Sequence, residues 1–137
     1  MPPDKVPLSL QRRVRERARN RCEYCGMSQA GQEATFHIDH ILPRREGGAT
    51  SFANLALACV SCSLRKGARR HATDPDTGRT EELFHPRMNE WSQHFRLAAD
   101  FTIVGMTPIG RATADALAMN RPLAIEIRRE EARLSAR

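Results

Sequence analysis

Apolar residues in the first half of the chain fall into short segments separated by polar loops. A thin apolar face with helical spacing predicts a helix over residues 9–20. Apolar and polar residues roughly alternate over 35–42, which predicts a strand that bends. A second apolar run, 52–59, ends at a cysteine pair, and a short basic helix is expected after it, over 61–70. The first half therefore mixes strands and helices.

The second half shows a different pattern, with strong turn residues followed by helical spacing. Asp74-Pro75-Asp76-Thr77-Gly78 predicts a turn. Pro86 is expected to open a helix whose apolar face carries Met88, Trp91 and Phe95. The other expected elements are a β-hairpin or irregular strands over 96–105 and helices over about 108–119 and 122–135. Together the two halves predict an α+β fold.

The net charge and its distribution along the chain indicate which kind of partner the protein binds. The formal net charge is +6 with a pI near 9.9. Residues 1–21 hold seven Lys and Arg against two acidic residues, and residues 36–71 hold six against two, whereas residues 72–100 hold three against six. Basic charge concentrated in this way favours a polyanion, most commonly nucleic acid. No apolar run approaches the roughly 20 residues of a membrane span, so we expect no membrane partner and a cytoplasmic protein.

The four cysteines form two close pairs. Cys22-x-x-Cys25 is followed by 33 residues and then Cys59-x-x-Cys62. In a reducing compartment such pairs are typical metal ligands, and four thiolates form the closed tetrahedral set of a structural zinc. A redox role for either pair would need a thioredoxin-like βαβ context, which this sequence does not supply.

Ionisable side chains interrupt the first predicted strand, at His37-Ile38-Asp39-His40. A neutral imidazole can accept a proton near neutral pH, and a carboxylate suits a hard cation such as Mg²⁺. Phosphodiester hydrolysis needs both functions. The alternative is that His40 is a structural, hydrogen-bonded histidine.

Taken together, these residues resemble the HNH endonuclease family over about residues 20–70. The matching elements are His37-Ile38-Asp39-His40-Ile41, Gly47-Gly48, Asn54-Leu55, Cys59-x-x-Cys62 and Lys66-Gly67. The resemblance implies a small ββα-metal core, two antiparallel strands and a helix around one catalytic divalent ion.

The resemblance also implies roles for individual residues. His40 would be the general base, Asp39 a ligand of the catalytic ion, and Asn54 the residue that holds the loop and orients the base. Families place His or Asn directly after the last cysteine as a second ligand, and here that residue is Ser63. His37 is a further candidate ligand that could compensate for the serine.

The resulting functional expectation is a metal-dependent endonuclease acting on nucleic acid, DNA rather than RNA, as a monomer or weak homodimer. It would use a structural Zn²⁺ and a catalytic Mg²⁺ or other divalent cation such as Mn²⁺. The candidate phosphate-binding residues are Arg44, Arg45, Arg65, Lys66, Arg69 and Arg70. Two alternatives stay open: a catalytically weak or inactive nucleic-acid-binding zinc module, and a zinc-ribbon-like protein-interaction domain.

The expected organisation has three parts. Residues 1–8 are Pro-rich and expected to be flexible, residues 9–72 form the HNH core, and residues 73–137 form a mostly helical extension packed on or beside it. This last part resembles the C-terminal extension of many bacterial HNH proteins. The resemblance is carried by Asp74-Pro75-x-Thr77-Gly78, Leu83-Phe84-His85-Pro86-Arg87, Trp91-x-x-His94-Phe95 and Gly110-Arg111-Ala112-Thr113.

Overall fold

Two short strands organise the first half of the computed structural model, which describes residues 6–135. Strand β1 (His37–His40) pairs with β2 (Leu55–Ala58) in antiparallel register, with His37 opposite Ala58 and His40 opposite Leu55. All four residues of β2 are fully buried. A strand covered on both faces needs continuous apolar sequence, which explains the Leu-Ala-Leu-Ala run. Most of the segment expected to be flexible, residues 1–5, lies outside the described residues.

Two helices flank this hairpin. Helix α1 (Leu8–Arg17) buries Val14 and lies against β2, and α2 (Val60–Lys66) follows directly from β2 and packs on both strands. The order β1, β2, α2 is the implied ββα arrangement, and the α+β fold class is confirmed. The predicted helix over 9–20 is confirmed but ends three residues earlier.

A folded loop connects β1 to β2. It contains 3₁₀ turns at Arg44–Glu46 and Phe52–Asn54. Between them, a Cβ atom on Gly48 would lie 1.7 Å from the carbonyl oxygen of Leu42, so no other residue fits there. The second glycine of the Gly-Gly pair is therefore required by a close backbone approach.

The described residues divide into two compact units. The first comprises residues 6–70 with His85–Met88, and the second comprises His71–Phe84 with residues 89–135. The second unit contains two antiparallel hairpins, β3 (His71–Thr73) with β4 (Thr80–Glu82) and β5 (Phe95–Leu97) with β6 (Ile103–Gly105). Its helices are α3 (Trp91–His94), α4 (Pro108–Ala116) and α5 (Pro122–Ser135).

The predictions for this second half are confirmed with one exception. The turn at Asp74, the hairpin near 96–105 and both C-terminal helices form as expected. The helix expected from Pro86 is wrong, because the backbone amides of Arg87 and Met88 donate to His85 Nδ1 in a turn. Helix α3 is only four residues long, and Met88 is 79% exposed.

Phe95 belongs to a strand and to an aromatic cluster of the second unit. Its ring centroid lies 5.3 Å from that of Phe84 and 5.0 Å from that of Trp91. Met88, Trp91 and Phe95 have helical spacing, but only Phe95 is buried and no helix contains all three. Among the described residues, no helix combines the length and apolar character needed to cross a membrane.

Candidate active site and metal centre

Four buried cysteine sulfurs meet at one point of the first unit. All four Sγ atoms lie within 4.8 Å of one another, and those of Cys25 and Cys59 are 3.7 Å apart. Four sulfurs bound at Zn–S distances of about 2.3 Å in a tetrahedron lie roughly 3.8 Å from each other. The cluster therefore fits a structural zinc, and the spacing is too long for a disulfide.

Backbone amides donate hydrogen bonds to two of these sulfurs, which favours the thiolate form that binds a cation. Cys59 is the N-cap of α2, and its Sγ accepts a hydrogen bond from the amide of Cys62 at 3.4 Å. The amide of Cys25 donates to Cys22 Sγ in the same way, also at 3.4 Å. Hydrogen bonds from the other three cysteines lower the pKa of Cys59, which favours its thiolate. The site holds the end of α1 to the start of α2.

Asp39 is buried on β1 and already contacts a cation. Lys66 Nζ lies 3.1 Å from its Oδ2 and also donates to the backbone carbonyl of His40 at 3.1 Å. Tyr24 donates its hydroxyl to Asp39 Oδ2 at 3.0 Å. Burial raises the pKa of Asp39, and the Lys66 ammonium opposes that shift. The Lys66 ammonium thus offsets part of the cost of burying this carboxylate.

His40 projects into a different set of contacts. Its Nε2 lies 2.8 Å from Thr50 Oγ1, and Arg44 Nη1 donates to that same oxygen at 2.8 Å. An arginine can only donate, so the hydroxyl proton of Thr50 is available to His40 Nε2. This arrangement suits an Nε2 that accepts a proton.

His37 and Ser63 meet on the side of β1 that faces α2. His37 Nδ1 lies 2.8 Å from Ser63 Oγ. Residues two apart on a strand point to the same face, so His37 and Asp39 share a face of β1. The three candidate ligands of the catalytic ion therefore come from one strand face and the adjacent helix.

Asn54 ties the loop to the end of β1. Its side chain accepts from the amide of Leu42 at 2.9 Å and donates to the carbonyls of Leu42 and Ala49 at 3.1 and 2.8 Å. Its backbone carbonyl accepts from the amide of Ile41 at 2.9 Å. These bonds fix the chain that carries Thr50 toward His40.

Several of these side chains line an open cleft of 770 Å³. The candidate catalytic and ligand residues that line it are His37, Asp39, His40 and Ser63. Two of the predicted phosphate-binding arginines, Arg44 and Arg45, line it as well. The cleft therefore combines imidazole, carboxylate and guanidinium groups in the first unit.

The remaining candidates for phosphate binding differ in exposure. Arg65, Arg69 and Arg70 are exposed, and Arg70 lies 3.8 Å from Glu46 in a loose ion pair. Lys66 is only 2% exposed, and its ammonium is bound to Asp39. The structure thus separates Lys66 from the surface arginines that adjoin it in sequence.

Sequence reasoning missed several residues that contact the candidate site residues or line the cleft. Thr50 contacts His40 although it lies in a loop with no motif of its own. Tyr24 sits between two cysteines, a pattern that drew attention to the cysteines alone. Gln11 and Arg15 of α1 also line the cleft, and the arginine-rich composition of α1 was the available signal.

Comparison with known proteins supports the resemblance. The family model for HNH endonucleases matches residues 22–69, which contain both cysteine pairs, β1, β2 and α2. Neither the curated proteins nor the solved structures gave a significant match. The match over residues 22–69 supports a nuclease-type or nucleic-acid-related function, and the four cysteines within it are positioned to form a zinc site.

Proposed function

We propose that this HNH protein is a metal-dependent endonuclease that hydrolyses phosphodiester bonds in DNA, with His40 as the general base. The observation that carries the proposal is the setting of His40. Its Nε2 contacts a threonine hydroxyl held by Arg44, on a cleft that Asp39 and Ser63 also line. This contact leaves the imidazole beside the carboxylate and hydroxyl that a catalytic ion would need.

His40 would act through the nitrogen that now contacts Thr50. The Thr50 hydroxyl marks the direction from which Nε2 accepts a proton. A water would displace the Thr50 hydroxyl from Nε2 and lose its proton to that nitrogen while its oxygen attacks phosphorus. The bond between phosphorus and the leaving oxygen would then break. Asn54 would hold the loop carrying Thr50 and so keep this direction fixed.

Three residues offer a donor set for the catalytic ion. Asp39, Ser63 and His37 combine one carboxylate, one hydroxyl and one imidazole on the wall of the cleft. Mg²⁺ is commonly held by one or two carboxylates and keeps several waters, so this set fits Mg²⁺ or Mn²⁺. When bound, such an ion would supply positive charge that stabilises the scissile phosphate and the leaving oxygen. Lys66 would keep the carboxylate of Asp39 ionised and oriented.

Surface arginines would bind the phosphates on either side of the cleaved bond. Arg44 and Arg45 line the cleft, and Arg65, Arg69 and Arg70 are exposed on or after α2. Such contacts give affinity without reading sequence. Lys66 is left out of this set because its ammonium is committed to Asp39.

A second candidate function is an inactive or weakly active nucleic-acid-binding module. It is favoured by one observation: Lys66 and Tyr24 already occupy the carboxylate of Asp39. If that arrangement excludes a divalent ion, the protein would bind nucleic acid through the same arginines and cut slowly or not at all.

The decisive experiment is nicking of supercoiled plasmid by the zinc-loaded protein with added Mg²⁺ or Mn²⁺. We expect His40→Ala to slow nicking by about 10²–10⁴-fold, the usual contribution of a general base. The reaction should also stop when Mg²⁺ and Mn²⁺ are left out. Omission is preferable to a chelator, which would also remove the structural zinc.

The matched control is His71→Ala. His71 is an exposed histidine on β3 of the second unit, so its loss should leave nicking unchanged. Equal nicking by wild type and His40→Ala would exclude the proposed base. Plasmid binding without nicking in either metal would support the binding module instead.

A further inference from the structure

Helix α1 and the residues that follow it carry a high density of positive charge. Residues 8–21 contain six arginines and a single acidic residue, Glu16. Like charges this close on a helix repel one another, so the concentration has a local cost. The contacts of each arginine indicate which ones serve the fold.

Four of the six make contacts inside the first unit. Arg15 Nη2 donates to the carbonyl of Phe36 at 3.0 Å, and Arg21 Nη1 donates to the carbonyl of Gly26 at 3.0 Å. The guanidinium carbons of Arg13 and Arg17 lie 4.3 and 3.9 Å from the ring centroid of Phe52. Arg17 also donates to the carbonyls of Phe52 and Leu55. These two residues fasten α1 to the chain that enters β2.

Besides its bond to Phe36, Arg15 lies at a second surface, which it shares with Arg12 and Arg19. Arg12, Arg15 and Arg19 line a shallow cavity of 330 Å³ together with Glu16 and Asn20. Arg12 and Arg19 are exposed, and within residues 6–135 neither forms an ion pair with a carboxylate. Arg15 lines both this cavity and the cleft of His40. The arginine surface is therefore continuous with the candidate active site.

Arg19 occupies a position where its side chain has a cost. Its φ is 55°, in the left-handed region, and its amide donates to the carbonyl of Glu16 while the amide of Asn20 donates to that of Arg15. This is the Schellman ending of a helix, whose left-handed residue is usually glycine. The positive charge of Arg19 is favourable at this end of the helix. The left-handed backbone still has a cost that glycine would avoid, and contact with a ligand would account for the arginine.

We propose that Arg12, Arg15 and Arg19 form a phosphate-binding surface that extends the cleft, so that nucleic acid runs from His40 along α1. This inference rests on the proposed function for the identity of the substrate. It adds a binding surface outside the segment that the HNH family model matches, because all three residues precede residue 22. The surface binds the backbone and contributes affinity rather than sequence preference.

The test measures binding of a DNA duplex by fluorescence anisotropy at several salt concentrations, without Mg²⁺ or Mn²⁺ so that the DNA stays intact. Each phosphate contact contributes about 0.9 to the slope of log affinity against log salt. We expect Arg12→Gln with Arg19→Gly to reduce the slope by roughly 2. Arg19→Gly alone should reduce it by roughly 1 while raising the melting temperature, because glycine suits the left-handed position.

Two controls match these changes. Ala118 ends α4 with the same hydrogen-bond pattern and a φ of 47°, so Ala118→Gly should also raise the melting temperature but leave the slope unchanged. Arg79→Gln with Arg96→Gln removes the same charge from exposed positions of the second unit and should also leave the slope unchanged.

The outcomes separate this inference from the proposed function. An unchanged slope in the Arg12 and Arg19 variants, with nicking that still requires His40, would overturn the α1 surface alone. An equal loss of slope in the charge control would show only a general effect of net charge and would also overturn it. Absence of DNA binding by the wild type would overturn both. A reduced slope in a protein that never nicks DNA would support the surface and reject the nuclease.

Discussion

Lys66 does not belong to the basic surface that its neighbours in the sequence predict. It lies in a basic run from Arg65 to Arg70, yet its ammonium is buried against Asp39. The explanation is helical spacing, because Lys66 lies four residues after the buried Cys62 and so faces the same way. The charge run alone does not distinguish an inward lysine from outward arginines, whereas the spacing within α2 does.

The buried pair leads to a prediction about stability. Lys66→Met should lower the free energy of unfolding by about 3–5 kcal/mol, because it leaves the Asp39 carboxylate buried without a cation. Urea denaturation of the zinc-loaded protein measures the change. Arg69→Met removes the same charge from an exposed site and should change stability by less than about 0.5 kcal/mol. Adding Asp39→Asn to Lys66→Met should recover part of the loss, and a further full loss would contradict the pairing.

At the scale of elements, the zinc cluster compensates for short secondary structure. Helix α2 has seven residues, and β1 and β2 have four each. Isolated helices of this length are unstable in water. The cluster fastens the start of α2 beside the residues that follow α1, so the walls of the cleft depend on the metal.

Cys62→Ser should therefore abolish binding of one zinc per chain and unfold the first unit. Tyr24, the single tyrosine, reports on this unit because burial and the nearby Asp39 raise its pKa well above its ordinary value of about 10. In the variant, absorbance titration should show tyrosine ionising near pH 10. Ser61→Ala, a neighbouring change on α2, should keep both zinc and the high tyrosine pKa. A high pKa in Cys62→Ser would mean that the fold does not need the metal.

The elements also show which parts of the fold could be predicted from the sequence. The cysteine pairs, β1, β2 and α2 follow from ligand spacing and apolar pattern, since both are local properties. The contact of Thr50 with His40 could not be predicted, because the two residues are ten positions apart. Their contact depends on the conformation of the loop that contains Gly48. The failed helix from Pro86 has the same origin: a histidine side chain captures two backbone amides that a helix would have used.

At the scale of the whole molecule, charge is divided between the two units in different ways. Both units contain internal ion pairs, and the first also carries the surface arginines that we assign to nucleic acid. Asp74 is fully buried and accepts from Arg111 Nε at 3.0 Å and Nη2 at 2.8 Å. The amide of Asp76 and the hydroxyl of Thr77 also donate to it. This closes the turn between β3 and β4 and holds it to α4.

The ion pair predicts how the second unit responds to acid. Arg111 and the turn donors lower the pKa of Asp74 to about 2, below its unfolded value of about 3.9. An acid with a lowered folded pKa contributes stability above its unfolded pKa and loses that contribution as pH falls toward the folded value. The stability difference between wild type and Asp74→Asn should therefore be greatest above pH 4 and shrink between pH 4 and pH 2.

Fluorescence of Trp91, the single tryptophan and a residue of the second unit, measures unfolding at each pH. Asp115→Asn removes the same charge from an exposed position of α4 and should change stability little at any pH. A difference for Asp74→Asn that stays constant from pH 6 to pH 2 would mean that the Asp74 carboxylate does not depend on Arg111 for its charge.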